Sequence, residues 1–574
     1  MINKIENMRH TASHVLAQAV LRLFPDVKLG IGPVIEDGFY YDFLFGREFS
    51  EDDFLKIEEE MHRIVKDDYK LEKFTLSREK ALKELEGQPF KQELVMDIAE
   101  SEEISFYKQG EFVDLCEGRP SHVTSTSQIG KFKILSTSGA YWKGDENNVM
   151  LQRIYATAFE KKSELEAYLD RLKEAEKRDH RKIGQKLNLF EIFSQDAGSG
   201  LVFWLPQGKK LLNSLMEWSR SMHAKDGYKE IETPHIVHTN LWEKSGHLTN
   251  FKDFMFICPD DEGESGVGIK PMNCPGHMLI YSRKRRSYKE LPVKLMEFGT
   301  VYRNEKAGTM HGLFRVKGFT QDDAHIFCTF DQLENQIIEV LNFAESIFSR
   351  FGFKWKLFFK GRPEKSIGSD AAWEKAESSL KSAILKAGID AEYIAGDGAF
   401  YGPKLDFEIE DALGRHWQCT TVQIDFNLPE RFNLSYVNSN DEEEVPVLIH
   451  RAIFGSMERF IGILIEHYAG NFPFWLSPTQ AIIVPISEKH FDYGRDFLND
   501  LKSAGIRAEL DDRNEKVGKK IRDAELNKVP YMFVVGDREM SSLSVSVRHR
   551  DDGDRGSILK DELIEQLKKE GNVN

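Results

Sequence analysis

Residues 298–327, FGTVYRNEKAGTMHGLFRVKGFTQDDAHIF, begin as an alternating run, turn through 304–311 and return as a second alternating run. Period-two alternation reads as strands, and the Gly- and Asn-containing middle reads as their connection. Arg303 and Arg315 stand at the inner edges, so the spacing predicts two guanidinium groups facing one another across a hairpin. A guanidinium forks onto phosphate oxygens and stays charged at any working pH, which suits a phosphate-bearing ligand. Taken alone, each arginine reads equally well as half of a surface ion pair. A second group is HTASH at 10–14, whose two histidines share one helix face at a spacing that also serves metal ligation.

These residues need a large scaffold, and 574 residues at 41% apolar content supply enough for three or four domains. No run of about 18 apolar residues exists to span a membrane, and the N-terminus lacks the apolar core of a secretory signal. The five cysteines (116, 258, 274, 328 and 419) are scattered and odd in number, which points to a reducing compartment. A net charge of −16 does not advertise nucleic-acid binding, although RKRR at 283–286 and EKRDHRK at 176–182 are local basic clusters. Each cluster also reads simply as a solvated helix face.

Apolar residues 12, 15, 16, 19, 20 and 23 predict an amphipathic helix over 9–23, with His10 and His14 opposite its apolar stripe. A strand follows at 38–43, then helices at 51–66 and 77–86. Residues 160–182 carry dense charge without Gly or Pro and predict a linking helix. Beyond it come a helix at 207–225, a strand segment at 227–237, the hairpin, and a helix at 333–350 with Asp331 as its cap. Strands recur over 391–426 and a helix over 455–468. After the Pro-rich boundary at 472–478, strands at 481–486, 506–510, 531–535 and 544–548 alternate with helices, which predicts an α/β unit with a largely parallel sheet.

Four segments now converge on one family. GYKEIETPHIV (227–237), the hairpin, and GSMER (455–459) resemble the three motifs of class II aminoacyl-tRNA synthetases, and KPMNCPGH (270–277) resembles a segment peculiar to the threonyl family. The resemblance runs from about residue 9 to the C-terminus. It implies an α+β multidomain fold: an N-terminal α+β editing domain (1–159), a linking helix (160–183), a class II catalytic domain built on an antiparallel sheet (184–475), and a C-terminal α/β anticodon-binding domain (476–574). The form implied lacks the small ubiquitin-like domain with which many members begin.

By the same resemblance, the reaction is ATP-dependent activation of threonine and its transfer to tRNA(Thr). Charge building on the α-phosphate calls for fixed cations. Arg303 would hold that phosphate, Arg315 the distal phosphates, and Glu305 the adenine amino group. Phe319 and Arg459 would sandwich the adenine, with Gln418 and Ser456 also at ATP and magnesium bridging the phosphates. Arg303, Arg459 and Gln321 would be catalytic. Asp323, Tyr401, Gln423 and Gln321 would hold threonine. Taken singly, Cys274, His325 and His450 read as a buried thiol and satisfied histidines. The resemblance makes them ligands of one zinc per subunit, with a position left open for the threonine amino and hydroxyl groups. Valine, without the hydroxyl, could not complete that coordination.

Serine lacks only a methyl, worth roughly 10–200-fold, so a second, hydrolytic site is the physical remedy. HTASH resembles half of the threonyl/alanyl editing element, and the implied site is His10, His14, Asp114, Cys116 and His122. The family's Cys-x3-His is lengthened here, with five residues between Cys116 and His122. The insertion either bulges outward or displaces His122. In the C-terminal unit Asn514, Glu539 and Arg548 would read the anticodon, as side chains reading the edges of splayed bases. The reading is a cytoplasmic homodimer. Two alternatives stay open: a class II synthetase for proline or serine, and a non-catalytic RNA-binding paralogue.

Overall fold

The computed structural model describes residues 2–99, 102–259, 266–399 and 401–572. It divides into two compact units, Met1–Lys173 and Glu174–Asn574. Among the described residues no helix is long and apolar enough to cross a membrane.

The first unit is built around α1 (Ile2–Leu23). Its apolar residues Ala12, Val15, Leu16, Ala19 and Val20 pack on β1 (Gly38–Leu44) and α2 (Glu51–Lys66), as the periodicity requires. The opposite side is not solvated, however. His10 and His14 are only 7% and 3% exposed, because a three-stranded sheet of β2 (Leu71–Leu76), β3 (Ile104–Gln109) and β4 (Phe112–Leu115) carries Phe112 and the chain after it over them. The histidine face that the amphipathic reading turned to water is therefore a second buried face. β5 (Lys131–Tyr141) and β6 (Met150–Phe159) form a separate sheet with β1, in which β6 lies between the other two. The charged helix α3 (Lys162–Arg178) follows.

The expected linking helix is in fact two. It breaks at Asp179, whose side chain caps α4 (His180–Lys186). In the second unit α5 (Pro206–Lys225) begins at a proline. The expected strand at 227–237 splits into Lys229–Glu230 and Ile236–His238, on either side of Thr233–Pro234. After α6 (Cys274–Ser282) come β7 (Val293–Tyr302), β8 (Gly318–Cys328), α7 (Phe330–Phe351), β9 (Lys354–Lys360), β10 (Lys404–Glu410), β11 (His416–Asp425), β12 (Val447–Ala452) and α8 (Met457–His467). The hairpin connection is longer than its turn residues suggested, running from 303 to 317. Helix α7 is capped by Thr329, not Asp331: the Thr329 hydroxyl accepts from Gln332 N, and Gln332 reaches back to the Thr329 N–H. Asp331 simply lies in the first turn, where its charge suits the helix dipole.

The central sheet has eight strands, ordered Lys229–Glu230, β7, β8, β12, β11, β10, β9, Ala391–Ile394, and its interior pairings are antiparallel. Even-numbered residues of β8 such as Ala324 and Ile326 face the core with α7 and α8. Odd-numbered residues 319–325 therefore share the other face. The C-terminal part has β13 (Ala481–Pro485), β14 (Ala508–Leu510), α9 (Val517–Leu526), β15 (Tyr531–Val535), β16 (Ser544–His549) and β17 (Gly553–Leu559) in the order 14-13-15-16-17. Only the first three are parallel; β16 and the unanticipated β17 run antiparallel.

Candidate functional site

Register assembles the metal-ligand candidates. His325 on β8 lies opposite His450 on β12, and His450 lies opposite Gln423 on β11. Directly opposed residues hold their Cβ atoms about 5 Å apart, so three residues remote in sequence become neighbours in one row. Cys274 enters from outside the sheet, in the first turn of α6. One donor atom from each of Cys274, His325 and His450 lies within 4.8 Å of the others.

A buried polar chain orients the row. Glu297 on β7 accepts from the Thr233 hydroxyl at 2.8 Å and faces His277 Nε2 at 3.0 Å, with Lys270 Nζ 3.4 Å from its other oxygen. With a proton on His277 Nε2 bound to the carboxylate, His277 Nδ1 is the acceptor for His325 Nδ1–H at 2.9 Å. That leaves the lone pair on His325 Nε2, which is buried and has no hydrogen-bond partner among the described residues. On the other side Asp425 takes His450 Nε2 at 3.0 Å and is itself held by the Asn427 and Leu428 N–H groups. Burial opposes charge on His450, but Cys274 and Asp425 outweigh it and raise its pKa to about 10. A thiol, two imidazoles, a bare buried lone pair and carboxylate-backed histidines fit a zinc ion.

Asp323 lies one alternation from His325. Its carboxylate accepts from Asn273 Nδ2 at 3.0 Å, and burial raises its pKa. Asn273 can reach it because Gly299, on the neighbouring strand, has no side chain: a Cβ there would stand 2.6 Å from Asn273 Cγ. Tyr401 hydrogen-bonds Gln423 on the same wall. Gln321 donates to the Gly455 carbonyl at 3.1 Å, and Gln418 Nε2 to the Thr421 hydroxyl at 3.3 Å.

Further along the same face, the Arg303 guanidinium lies 5.0 Å from the centre of the Phe319 ring and 5.4 Å from that of Phe251. The Arg303 backbone N–H donates to the Lys317 carbonyl at 2.8 Å, so Arg303 stands opposite Lys317 in the chain register, not Arg315. The exposed Arg315 pairs with Glu305 at 2.7 Å, so the residues expected at the phosphates and the adenine neutralise each other. Ser456 caps α8 by accepting from Arg459 N at 3.1 Å, and Arg459 lies over Trp417 at 5.8 Å. Of KPMNCPGH, only the cysteine is recognisable as a site residue from sequence. Lys270 and His277 of that octapeptide belong to the polar chain and Asn273 serves Asp323, and burial rather than spacing reveals all three. Glu297, Asp425 and His247 carry no sequence signal of their own; burial, with the nearby His450 and Arg303, lowers the pKa of His247 to about 4.

The first unit gathers its own cluster. His10, His14, Cys116 and His122 place ring nitrogens and sulfur within 4.8 Å of one another. The lengthened segment bulges outward and brings His122 back: Cys116 Sγ is 3.4 Å from His122 Nε2 and 3.5 Å from His10 Nε2. His10 and His122 stack at 4.0 Å, and the Pro120 carbonyl at the tip of the bulge meets His10 Nδ1 at 2.6 Å. Asp114 sits beneath, bound by Lys91 Nζ and the Tyr41 hydroxyl, each at 2.6 Å. Asp114 is also 3.9 Å from His14, yet His14 lies well below the usual imidazole pKa. Burial decides, because Lys91 already answers the carboxylate. Burial likewise lowers His10 and His122 and raises the Cys116 thiol to about 12. The cluster is neutral, suited to orienting water rather than to thiolate attack.

In the C-terminal part, Asn514 follows β14 and Glu539 follows β15, both beyond the carboxyl ends of parallel strands. Arg548 is not with them. It stands opposite Met532, three positions back along β15, and pairs with Glu525 at 3.3 Å. Such a spread, roughly 10 Å along the strands, suits successive groups of an extended ligand rather than one small molecule.

Three family models match the chain: tRNA synthetase class II core domain (G, H, P, S and T) over residues 254–468, Anticodon binding domain over 480–570, and Threonyl and Alanyl tRNA synthetase second additional domain over 104–155. The threonine–tRNA ligase of Acetivibrio thermocellus is 54% identical over 561 residues, covering 97% of this chain and 87% of that one. That of Caldanaerobacter subterraneus is 52% identical, covering 98% and 86%. Among solved structures, the RNA-binding domain of threonyl-tRNA synthetase from Cryptosporidium parvum Iowa II superposes with a TM-score of 0.66 at 41% identity, covering 69% of this chain and 98% of that one.

Proposed function

The chain belongs to the threonine–tRNA ligases of the class II aminoacyl-tRNA synthetases, and from that premise we propose how its residues divide the work. The enzyme activates threonine with ATP and passes it to tRNA(Thr). A carboxylate oxygen of threonine attacks the α-phosphorus, the bond to the β-phosphate oxygen breaks, and pyrophosphate leaves with the electron pair. Arg303 is the fixed cation at the α-phosphate, with Phe319 and Arg459 flanking the adenine. ATP binding opens the Glu305–Arg315 pair, freeing Glu305 for the adenine amino group and Arg315 for the distal phosphates. Gln418 and Ser456 line the nucleotide, whose phosphate charge a bound magnesium ion would help to neutralise.

Cys274, His325 and His450 would hold a zinc ion, which would supply Lewis-acid character toward the substrate amino and hydroxyl groups. Asp323, oriented by Asn273, takes the substrate ammonium, and Gln321, Tyr401 and Gln423 close the pocket. What carries this reading is the shared strand face: Phe319, Gln321, Asp323 and His325 succeed one another at period two, so nucleotide and amino-acid contacts lie along one line. Prolyl activation offers no use for that donor row, because proline has no hydroxyl; serine, which has one, is the substrate that the second, hydrolytic site must remove. In the first unit, His10, His14, Cys116 and His122 orient a water that hydrolyses the ester of misattached serine, with Asp114 holding the floor. Asn514, Glu539 and Arg548 contact successive anticodon bases. The working form is a cytoplasmic homodimer.

Threonine-dependent ATP–pyrophosphate exchange is the direct test, with zinc content measured in parallel. Expected are about one zinc per chain and exchange with threonine but not valine or proline, both lost in Cys274→Ala. Exchange with proline instead, or tRNA binding without exchange for any amino acid, would overturn the reading.

A further inference from the structure

The basic segment at 176–182 contains a histidine that is not basic surface at all. His180 is fully buried, and both its ring nitrogens are used. Nδ1 is 2.7 Å from Glu466 Oε1, near the end of α8, and Nε2 accepts the Leu313 N–H at 3.0 Å. The His180 backbone N–H donates to the same Glu466 oxygen at 3.0 Å. With Nδ1–H donating and the Nε2 lone pair occupied, the ring has nothing left for a metal, although Asp179, His180 and Glu466 cluster closely enough for one.

Leu313 lies in the 303–317 connection, two residues before Arg315. Gly312, at φ +51°, brings the loop down onto the ring, and a Cβ there would collide with His180. Phe314 then packs between the His180 ring at 4.1 Å and Trp417 at 4.5 Å. The contacts close into a circuit. Trp417 Nε1 donates to Asp411 at 2.9 Å, Arg415 bridges Asp411 and Glu466 at 2.5 Å each, and Glu466 returns to His180. Burial opposes charge on Glu466, but its bonds from His180 and Arg415 hold its pKa below the usual carboxylate range.

Three of the segments assigned above to ATP touch this circuit: the loop of Glu305 and Arg315 through Leu313 and Phe314, Gln418 through its neighbour Trp417, and Arg459 through Trp417 and through α8, which also carries Glu466. We propose that His180 is a positioning residue for nucleotide binding, a two-sided hydrogen-bond clip that sets the 303–317 loop against the end of α8. The proposal rests on the reading of that loop as the ATP contact. A loop that visits other conformations when its clip is cut lowers apparent affinity by the fraction it spends misplaced.

The two faces of the clip separate by substitution. In His180→Gln the side-chain oxygen occupies the Nε2 position and can still accept from Leu313. In His180→Asn the amide nitrogen occupies the Nδ1 position and serves only Glu466. In ATP–pyrophosphate exchange, KM for ATP should rise about 3–10-fold in His180→Asn, roughly one hydrogen bond's worth. It should recover most of that in His180→Gln, with KM for threonine unchanged in both. Equal KM for ATP in the two variants, or parallel rises for ATP and threonine, would overturn the proposal. Arg303→Ala is the control: if it leaves KM for ATP unchanged, the ATP reading falls; if it raises KM while His180→Asn does not, only the role of His180 falls. Amide exchange of the unsubstituted protein without ATP adds a check independent of any variant's folding. Leu313 N–H should be protected, and exchange at an unprotected rate would refute the clip.

Discussion

Gly299→Ala tests the orientation of Asp323 at the smallest possible scale. A methyl at Gly299 would stand 2.6 Å from Asn273 Cγ and 2.5 Å from Nδ2. Ordinary contact needs roughly 1 Å more, and buried Asn273 has little room to give. Overpacking of this kind costs about 1–3 kcal/mol. The cheapest relief is rotation of the Asn273 amide away from Asp323, which breaks the 3.0 Å bond. A hydrogen bond to a charged group is worth about 1.5–3 kcal/mol, so kcat/KM for threonine in exchange should fall roughly 10–100-fold, with KM for ATP little changed. The diagnostic result is non-additivity. In an Asn273→Ala background the obstructing amide is gone, so adding Gly299→Ala should cost almost nothing further in urea stability or in threonine kcat/KM. An equal penalty in both backgrounds would refute the reasoning, because the methyl would then be colliding with something other than Asn273.

Asp425→Asn should weaken zinc retention about 10–100-fold in chelator competition, by loosening His450 without removing a ligand. His10→Ala with His14→Ala should let Ser-tRNA(Thr) accumulate in a misacylation assay while threonine activation stays intact; no change in serine misacylation would mean that the cluster does not edit. Glu458 is buried under Thr320, whose N–H it accepts at 2.9 Å, and burial raises its pKa to about 7 against an ordinary 4.5. The folded state thus keeps a proton that the unfolded chain has lost, and stability from this group, full below about pH 4.5, drains away as pH rises through 7. Glu458→Gln should therefore stabilise the second unit by up to about 3 kcal/mol at pH 8.5 and by almost nothing at pH 4.5, read from urea midpoints at the two pH values.

Elements with a single strong period were legible before the structure: α2, α5, α7, α8 and the hairpin strands fall where the apolar spacing puts them. Failures occurred where two signals shared one element. Helix α1 shows an apolar stripe, and nothing local says that its histidine face is buried too. Only pairing with Cys116 and His122, more than 100 residues away, buries it. At the start of α7 both Thr329 and Asp331 are good caps, and the choice fell to Thr329 because Gln332 completes the reciprocal box. The parallel sheet ended early for a similar reason: β16 follows β15 after a single short helix, too little chain for the crossover a parallel strand requires.

The candidate site divides along the same line. Phe319, Gln321, Asp323 and His325 were readable as a set, since period two within one strand suffices to put them on one face. His450 and Gln423 could not be, because their place depends on the register of β8, β12 and β11, which no local pattern encodes. The polar chain behind His325 was least legible of all. Lys270, His277, Glu297 and Thr233 look like ordinary surface residues in sequence, and only burial gives them meaning. Their arrangement makes chemical sense only as a unit. Glu297 is held by Thr233 and Lys270, His277 is tied to Glu297, and His325, beside Cys274 and His450, is left with one buried nitrogen that has no hydrogen-bond partner among the described residues. Buried lone pairs without partners are costly, and here the whole chain of bonds behind one works to keep it bare. That is a cost a fold bears for a ligand, and on the proposed reading the donor row, rather than the hairpin arginines, is what selects the amino acid.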